Sequence, residues 1–268
     1  MFDEILAAIL PHLSLRPEPS PMADLILHVG AQSAQGKRLN NEDRFVADLS
    51  RHVFLVADGM GGQEGGEEAS GLAAEIIPRV VQAQMTHHAD ARRAVQEALQ
   101  EAHRAILTAG QHQRAHRKMG TTAVLAVQQQ DRVFVAGVGD SPALLVRGEQ
   151  IEQLTLDHTV ADALARNGTL SADQARSSPY RNYLYKYLGC TGPEMDEGAD
   201  VRPFAPRPGD RLLLASDGLT NFISAADLRE GARRHRDPQE WADLLVRTAL
   251  ERGSKDNVTC VILAFDAA

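Results

Sequence analysis

Two apolar runs of this chain, residues 52–57 and 211–216, each lead into an aspartate followed by a glycine, at Asp58-Gly59 and Asp217-Gly218. Runs this apolar fold as buried strands, so their ends are where polar groups return. Two such strands place two carboxylates at sheet ends, beside glycines that let metal, water or substrate approach the backbone. Two further acidic motifs, Asn41-Glu42-Asp43 and Asp256-Asn257, also adjoin strand-like runs. Any one of these acids alone reads as a turn or N-cap residue. Together they point to a hard-cation site, because clustered carboxylates repel one another and oxygen donors suit Mg²⁺ or Mn²⁺.

Composition narrows the class. With 268 residues, 43% of them hydrophobic, and no low-complexity linker in its interior, the chain is expected to form one domain over residues 23–268. Residues 1–22 read as a lead-in: a short apolar stretch at 2–10, then Pro11, Pro17, Pro19 and Pro21. That stretch is too short to span a bilayer and carries Asp3 and Glu4 where a signal peptide has basic residues, so no membrane insertion is expected. A docking amphipathic helix and a frayed terminus are equally compatible with it. A formal charge of -8 without a Lys/Arg cluster argues against nucleic acid as a partner. Cys190 and Cys260 are the only cysteines and have no CxxC spacing, which fits a reducing, cytoplasmic setting better than a disulfide framework or a structural zinc site.

Periodicity predicts strands at 25–33 and 53–57, then helices over 64–84 and 90–116, the second with Ala91, Val95, Leu99, Ala102 and Ile106 at helical spacing. Strands follow at 121–128, 132–138, 143–147 and 149–154, with connections short enough to favour antiparallel pairing. Residues 157–175 read as mostly helical, ending before Pro179. Strands at 200–204 and 211–215, helices near 225–234 and 238–252, and a strand at 258–265 complete the order. Clusters of strands separated by clusters of helices predict an α+β fold with stacked sheets and outer helices.

Other chemistries lack their residues. Neither cysteine begins a Cys-x₅-Arg loop, and no Gly-x-Ser-x-Gly elbow is present. The run from Gly30 to Lys37 has the wrong spacing for a phosphate loop, with Arg38 where Ser or Thr is required. His112 with His116, and His87 with His88, have no third ligand or His-Glu-x-x-His pattern, so they read as solvated helix-face and loop residues. His158, after Asp157, is read as a structural residue that orients the segment following the strand at 149–154.

The ordered motifs Arg38-Leu39-Asn40-Asn41-Glu42-Asp43, Asp58-Gly59-Met60-Gly61-Gly62, Gly120-Thr121-Thr122, Gly139-Asp140-Ser141, Asp157-His158-Thr159, Leu188-Gly189, Ser216-Asp217-Gly218-Leu219 and Asp256-Asn257 span nearly the whole globular part. In these the chain resembles the type 2C, metal-dependent serine/threonine protein phosphatases, in particular their compact bacterial members. The resemblance implies a central β-sandwich of two antiparallel sheets flanked by α-helices, with two Mn²⁺ or Mg²⁺ ions at one end. It implies that Asp58 bridges the ions, that Asp217 and Asp256 complete one of them, and that Glu42 and the Gly59 carbonyl hold the other. Asp43 would lie behind, orienting waters; Arg38 would grip the substrate phosphate, a task that suits its planar fork of donors. Asp140, with Asp217, would hold a third ion. The implied reaction is direct attack by a water bridging the two ions, with no covalent intermediate. The implied partners are phosphorylated protein substrates and a cognate Ser/Thr kinase.

Two residues depart from common family patterns. Met60 stands where many eukaryotic relatives have a histidine proposed as general acid, as it commonly does in bacterial relatives. Pro142 replaces an arginine that usually follows Gly-Asp-Ser, and its fixed φ and missing N–H are expected to alter the strand beside Asp140, which bears on the third ion. Residues 160–187 match the family's flap and hold every tyrosine of the chain, Tyr180, Tyr183, Tyr185 and Tyr187. These are expected either to pack the flap onto the domain or to touch a phosphopeptide. Besides an active protein phosphatase, a non-catalytic binding module of the same fold and a hydrolase of small phosphate esters remain as readings. The retained acids argue against the former.

Overall fold

The computed structural model describes residues 25–62, 64–86, 90–112, 119–192, 195 and 198–268. The lead-in at 1–22, with its short-helix expectation, lies outside the described residues, as do His87, His88 and His116. Strands β1 (Leu25–Ala34), β2 (Asp43–Asp48) and β3 (Val53–Met60) precede helices α1 (Gly65–Thr86) and α2 (Ala91–His112). Strands β4 (Gly120–Thr121), β5 (Ala123–Gln129), β6 (Arg132–Val138), β7 (Ala143–Arg147) and β8 (Gln150–Gln153) follow. Two short helices, α3 (Val160–Arg166) and α4 (Ala172–Ser177), lead to β9 (Val201–Phe204) and β10 (Arg211–Ala215). Helices α5 (Asp217–Thr220), α6 (Ala225–Arg234) and α7 (Pro238–Glu251) and strand β11 (Val258–Ala267) complete the chain.

The strands form two antiparallel sheets, one in the order β1-β11-β10-β7-β8 and the other β2-β3-β5-β6-β9, with β4 continuing beside β3. Side chains alternate across each strand, and here both faces are covered. Phe54 and Val56 of β3 meet Leu212, Leu214, Val261, Leu263 and Phe265 between the sheets. Their neighbours Val53, Leu55 and Ala57 point outward under α1 and α2. On the opposite outer face, Leu213, Ala215, Cys260 and Ile262 pack beneath Trp241, Leu245 and Ala249 of α7. Coverage of both faces explains why these strands read as unbroken apolar runs. The expected sandwich is therefore observed, with helices on both outer faces.

Strand β2 was not anticipated. Its sequence, Asp-Arg-Phe-Val-Ala-Asp, begins and ends in acids, and it lies at a sheet edge with Phe45 exposed, so neither an apolar run nor clean alternation marks it. The helical expectation for 157–175 resolves into two short capped helices: Ser171 opens α4 with a capping box to Gln174, which ends the preceding turn. No helix among the described residues is long and apolar enough to cross a membrane.

Trp241 of α7 is fully buried and lies directly on Gly231 of α6, where a Cβ would collide with the indole ring. Gly231→Ala is expected to force the two helices apart and to cost about 1–3 kcal/mol, as overpacking typically does. A lowered urea midpoint at unchanged slope would measure it; an unchanged midpoint would contradict this packing.

Candidate metal and phosphate site

The sheet pairings bring the acids to one end of the sandwich. Asp43, the first residue of β2, is the direct partner of Asp58 on β3. Glu42 immediately precedes Asp43, Asp217 opens α5 directly after β10, and Asp256 lies two residues before β11. Asp140 occupies the turn from β6 to β7. Asp58 touches solvent but is densely surrounded by protein. Its carboxyl is held well above the usual carboxylate range, first by desolvation and then by the charges of Asp43, Asp217, Asp140 and Asp256. Burial and its neighbours push Asp43 up to about 6 and Asp140 to about 7. Asp217 is raised by burial and by Asp256, and Glu42 by burial. All the acids singled out in the sequence thus share one electrostatic environment.

Polar residues inside the motifs fix these acids. The Asn257 amide donates to the carbonyls of Gln35 and Asn40, both at 2.9 Å, and its oxygen accepts the Glu42 N–H at 2.8 Å. One side chain therefore pins the loop carrying Arg38 and Glu42 against the strand that follows Asp256. The Glu42 carbonyl accepts from Gly59 N–H at 3.2 Å and from the Ser70 hydroxyl at 2.5 Å. Asp43 accepts from the Ser216 hydroxyl at 2.9 Å through Oδ2, with the Thr259 hydroxyl also close enough to favour its charged form, while its buried Oδ1 has no partner within hydrogen-bond distance among the described residues. The Asp58 N–H donates to Thr122 Oγ1 at 3.0 Å, which lies 2.6 Å from the Ser141 hydroxyl. Sequence reading singled out the motifs but gave Asn257, Thr122, Ser141 and Ser216 no task. Their only signal was position, since each adjoins a motif acid or a strand end.

Gly59 and Gly66 serve the packing around the acids. A Cβ at Gly59 would strike the carbonyls of Gly66 and Glu42, and one at Gly66 would strike the Glu42 carboxylate. Both glycines let the start of α1 close against β3 and Glu42, backbone against backbone. Arg38 pairs with an acid of the cluster: its Nη2 donates to Asp256 Oδ2 at 2.6 Å. Pro142 does not disturb its strand. Strand β7 starts at the next residue, and the Pro142 carbonyl still accepts the Ala215 N–H at 3.2 Å.

Among the described residues no three His, Cys, Asp or Glu side chains close on one point as a ready-made metal cage. A hard cation tolerates this, since Mg²⁺ typically takes one or two carboxylates and keeps several waters. The all-oxygen donors, the orphaned Asp43 oxygen and the crowding of like charges fit such a cation. Beside the acids a cavity of about 370 Å³ is lined by Asp140, Asp217, Asp157, Thr159, Arg181 and Asn221, with the segment 160–182 as its far wall. The tyrosines divide: Tyr187 packs on the core and Tyr185 accepts from Arg166 at 2.9 Å, while Tyr180 and Tyr183 form an exposed edge-to-face pair. Both cysteines are buried free thiols.

The family model described as Protein phosphatase 2C matches residues 31–259, and the chain belongs to that family. It is 32% identical to the serine/threonine phosphatase stp of Listeria innocua, over 88% of this chain and 95% of that protein. Among solved structures it is similar to the PPM Ser-Thr phosphatase MsPP of Mycobacterium smegmatis in complex with cacodylate, at 33% identity and TM-score 0.76, covering 88% of this chain and 97% of the other. The catalytic domain of the phosphatase PstP, solved with two manganese ions, matches at 28% identity and TM-score 0.74, covering 90% and 99% of the two chains.

Raised carboxyl pKa values have a definite sign for stability. The folded, metal-free protein binds protons at Asp43, Asp58 and Asp140 that the unfolded chain has released, so these groups subtract stability as pH rises from about 4 through about 7. In EDTA, Asp140→Asn is expected to flatten the fall of Tm across that window relative to wild type. Added Mn²⁺ is expected to raise wild-type Tm most at the high-pH end, where cations replace protons. Parallel pH profiles of wild type and variant in EDTA would show a different relation.

Proposed function

We propose that the chain is a metal-dependent protein serine/threonine phosphatase that hydrolyses phosphoserine and phosphothreonine and reverses the action of a Ser/Thr kinase. The observation that carries this reading is the convergence of Glu42, Asp43, Asp58, Asp140, Asp217 and Asp256 on one end of a sandwich whose sequence matches the family over residues 31–259. In this reading Asp58, Asp217 and Asp256 would hold one Mn²⁺ or Mg²⁺, and Asp58, Glu42 and the Gly59 carbonyl would hold a second. Asp140 and Asp217 would take a third. When bound, such ions supply a nucleophilic water at neutral pH and neutralise phosphate charge.

The chain's own residues supply the rest. Asn257 sets the loop bearing Arg38 and Glu42 against Asp256, so the phosphate-binding guanidinium and the ligands are fixed by one amide. Asp43 lies behind Asp58 with one oxygen satisfied by Ser216 and one free to orient water. Arg38, exposed and held to Asp256 by one hydrogen bond, exchanges that partner for phosphate oxygens when substrate binds, trading a single contact for the paired contacts its planar fork can make. The exposed Tyr180 and Tyr183 on the flap offer a surface for the polypeptide around the phosphorylated residue. A cytoplasmic location belongs to this proposal and rests on the free thiols and the absence of a spanning helix among the described residues.

Purified protein with Mn²⁺ is expected to release phosphate from a phosphothreonine peptide, and EDTA to abolish the release. Asp58→Asn is expected to lower kcat/KM by ~10²–10³-fold, the several kcal/mol that such a centre supplies. No release by wild type would leave the non-catalytic module. A kcat/KM higher for a phosphorylated metabolite than for the peptide would favour a small-ester hydrolase.

A further inference from the structure

The flap is tied to the acid site at its far end by the pairing of Leu188 with Thr121, whose hydroxyl donates to the Asp58 carbonyl, and at its near end by His158. Its N–H donates to the Gly139 carbonyl at 2.9 Å, and the Gly139 N–H donates back to His158 Nδ1 at 3.1 Å. Gly139 has a φ of +103°, and a Cβ there would press on the Thr122 side chain, so this corner is held by backbone and ring alone. Asp140 follows directly, and then Ser141, whose hydroxyl meets the Thr122 oxygen that accepts from Asp58 N–H.

On its other side His158 holds the flap. Its carbonyl accepts the Tyr185 N–H at 3.0 Å, and its ring stands edge-on to the Tyr185 ring, centroids 5.7 Å apart. The next residues continue the contact: Thr159 pairs with Leu184, and the Val160 N–H donates to the Tyr183 carbonyl at 2.8 Å. Arg166 closes the loop by donating to both the Asp157 carbonyl and the Tyr185 hydroxyl at 2.9 Å. Three elements meet at one imidazole: the β6–β7 turn, the start of α3 and the returning limb of the flap.

We propose that His158 is a positioning residue whose ring Nδ1 and peptide join the Gly139 and Asp140 corner to flap residues 183–185, so that Asp140 and the flap are set as one unit. The ring must be neutral with its proton on Nε2 to accept from Gly139. Burial first, and then the charge of Lys186, hold its pKa down to about 4, so that acceptor persists at neutral pH. The ring therefore works by geometry and moves no proton. The proposal deepens the phosphatase reading and rests on it for the part that concerns turnover.

Three substitutions test it. His158→Asn places an amide oxygen near the position of Nδ1, His158→Gln places one near Nε2, and His158→Leu removes the acceptor. In metal-free protein, tryptic cleavage after the exposed flap residues Arg176 and Arg181 is expected to run about tenfold faster in the Gln and Leu variants than in wild type, one hydrogen bond's worth of opening, with Asn close to wild type. With Mn²⁺ and a phosphothreonine peptide, kcat is expected to fall by a similar factor in Gln and Leu and to be largely restored in Asn. Asn and Gln variants that match each other in cleavage rate would overturn the tether. Equal kcat in those two variants would overturn its link to Asp140. The Asn and Gln pair decides both points even if the Leu variant does not fold. A wild type without phosphatase activity would remove the parent reading, while the cleavage comparison would still decide the tether.

Discussion

Repulsion between carboxylates organises this molecule. Asp43 and Asp58 face each other as direct partners across an antiparallel pair, a placement that costs stability in an ordinary sheet. Asp217, Asp140 and Asp256 add to the same field, and desolvation strengthens it. Holding such an arrangement requires a scaffold that cannot relax, and the surrounding structure is built accordingly. Backbone packs on backbone at Gly59 and Gly66, the Asn257 side chain makes three hydrogen bonds to the one loop between β1 and β2, and Thr122, Ser141 and Ser216 bond to the acids or to one another beside them. Arg38 offsets part of the charge from the open side.

The rigidity comes from three separate apolar layers. The core between the sheets fixes the distance from β3 to β10, and thereby the distance from Asp58 to Asp217. The outer layers under α1 with α2, and under α7, keep each sheet from flexing. Because successive residues of β3, β10 and β11 serve different layers, a one-residue slip of any of these strands would misplace both core and acid together. Fold stability and site geometry are thus enforced by the same registers.

Much of this was legible in the sequence for one reason: strands covered on both faces leave long apolar runs, and the residues ending those runs must be there for something other than packing. That logic located Asp58 and Asp217, and the motif order supplied Glu42, Asp43, Asp140 and Asp256. Strand β2 escaped because an exposed edge with acids at both ends carries no apolar signature. The tasks of Asn257 and Thr122 escaped because one hydrogen-bonding side chain looks like any other until its partners, more than sixty residues away in the case of Thr122 with Asp58, are in place. The pairing of Arg38 with Asp256 joins residues 218 positions apart, which no local pattern encodes.

The longest strand pairing among the described residues joins Leu25 to Ala267 and Ala34 to Val258, so the first described strand lies against the last. Contacts of this sequence separation form late, because the intervening chain must be closed into a loop before they return any energy. On the ribosome β1 therefore has no sheet to join until β11 has emerged, and Asp256 and Asn257, just ahead of β11, arrive at the same moment. The loop bearing Arg38 and Glu42 waits for that Asn257. Assembly of the acid site therefore waits for β11, and a nascent chain stalled ahead of residue 256 lacks both Asp256 and the Asn257 amide that sets the loop.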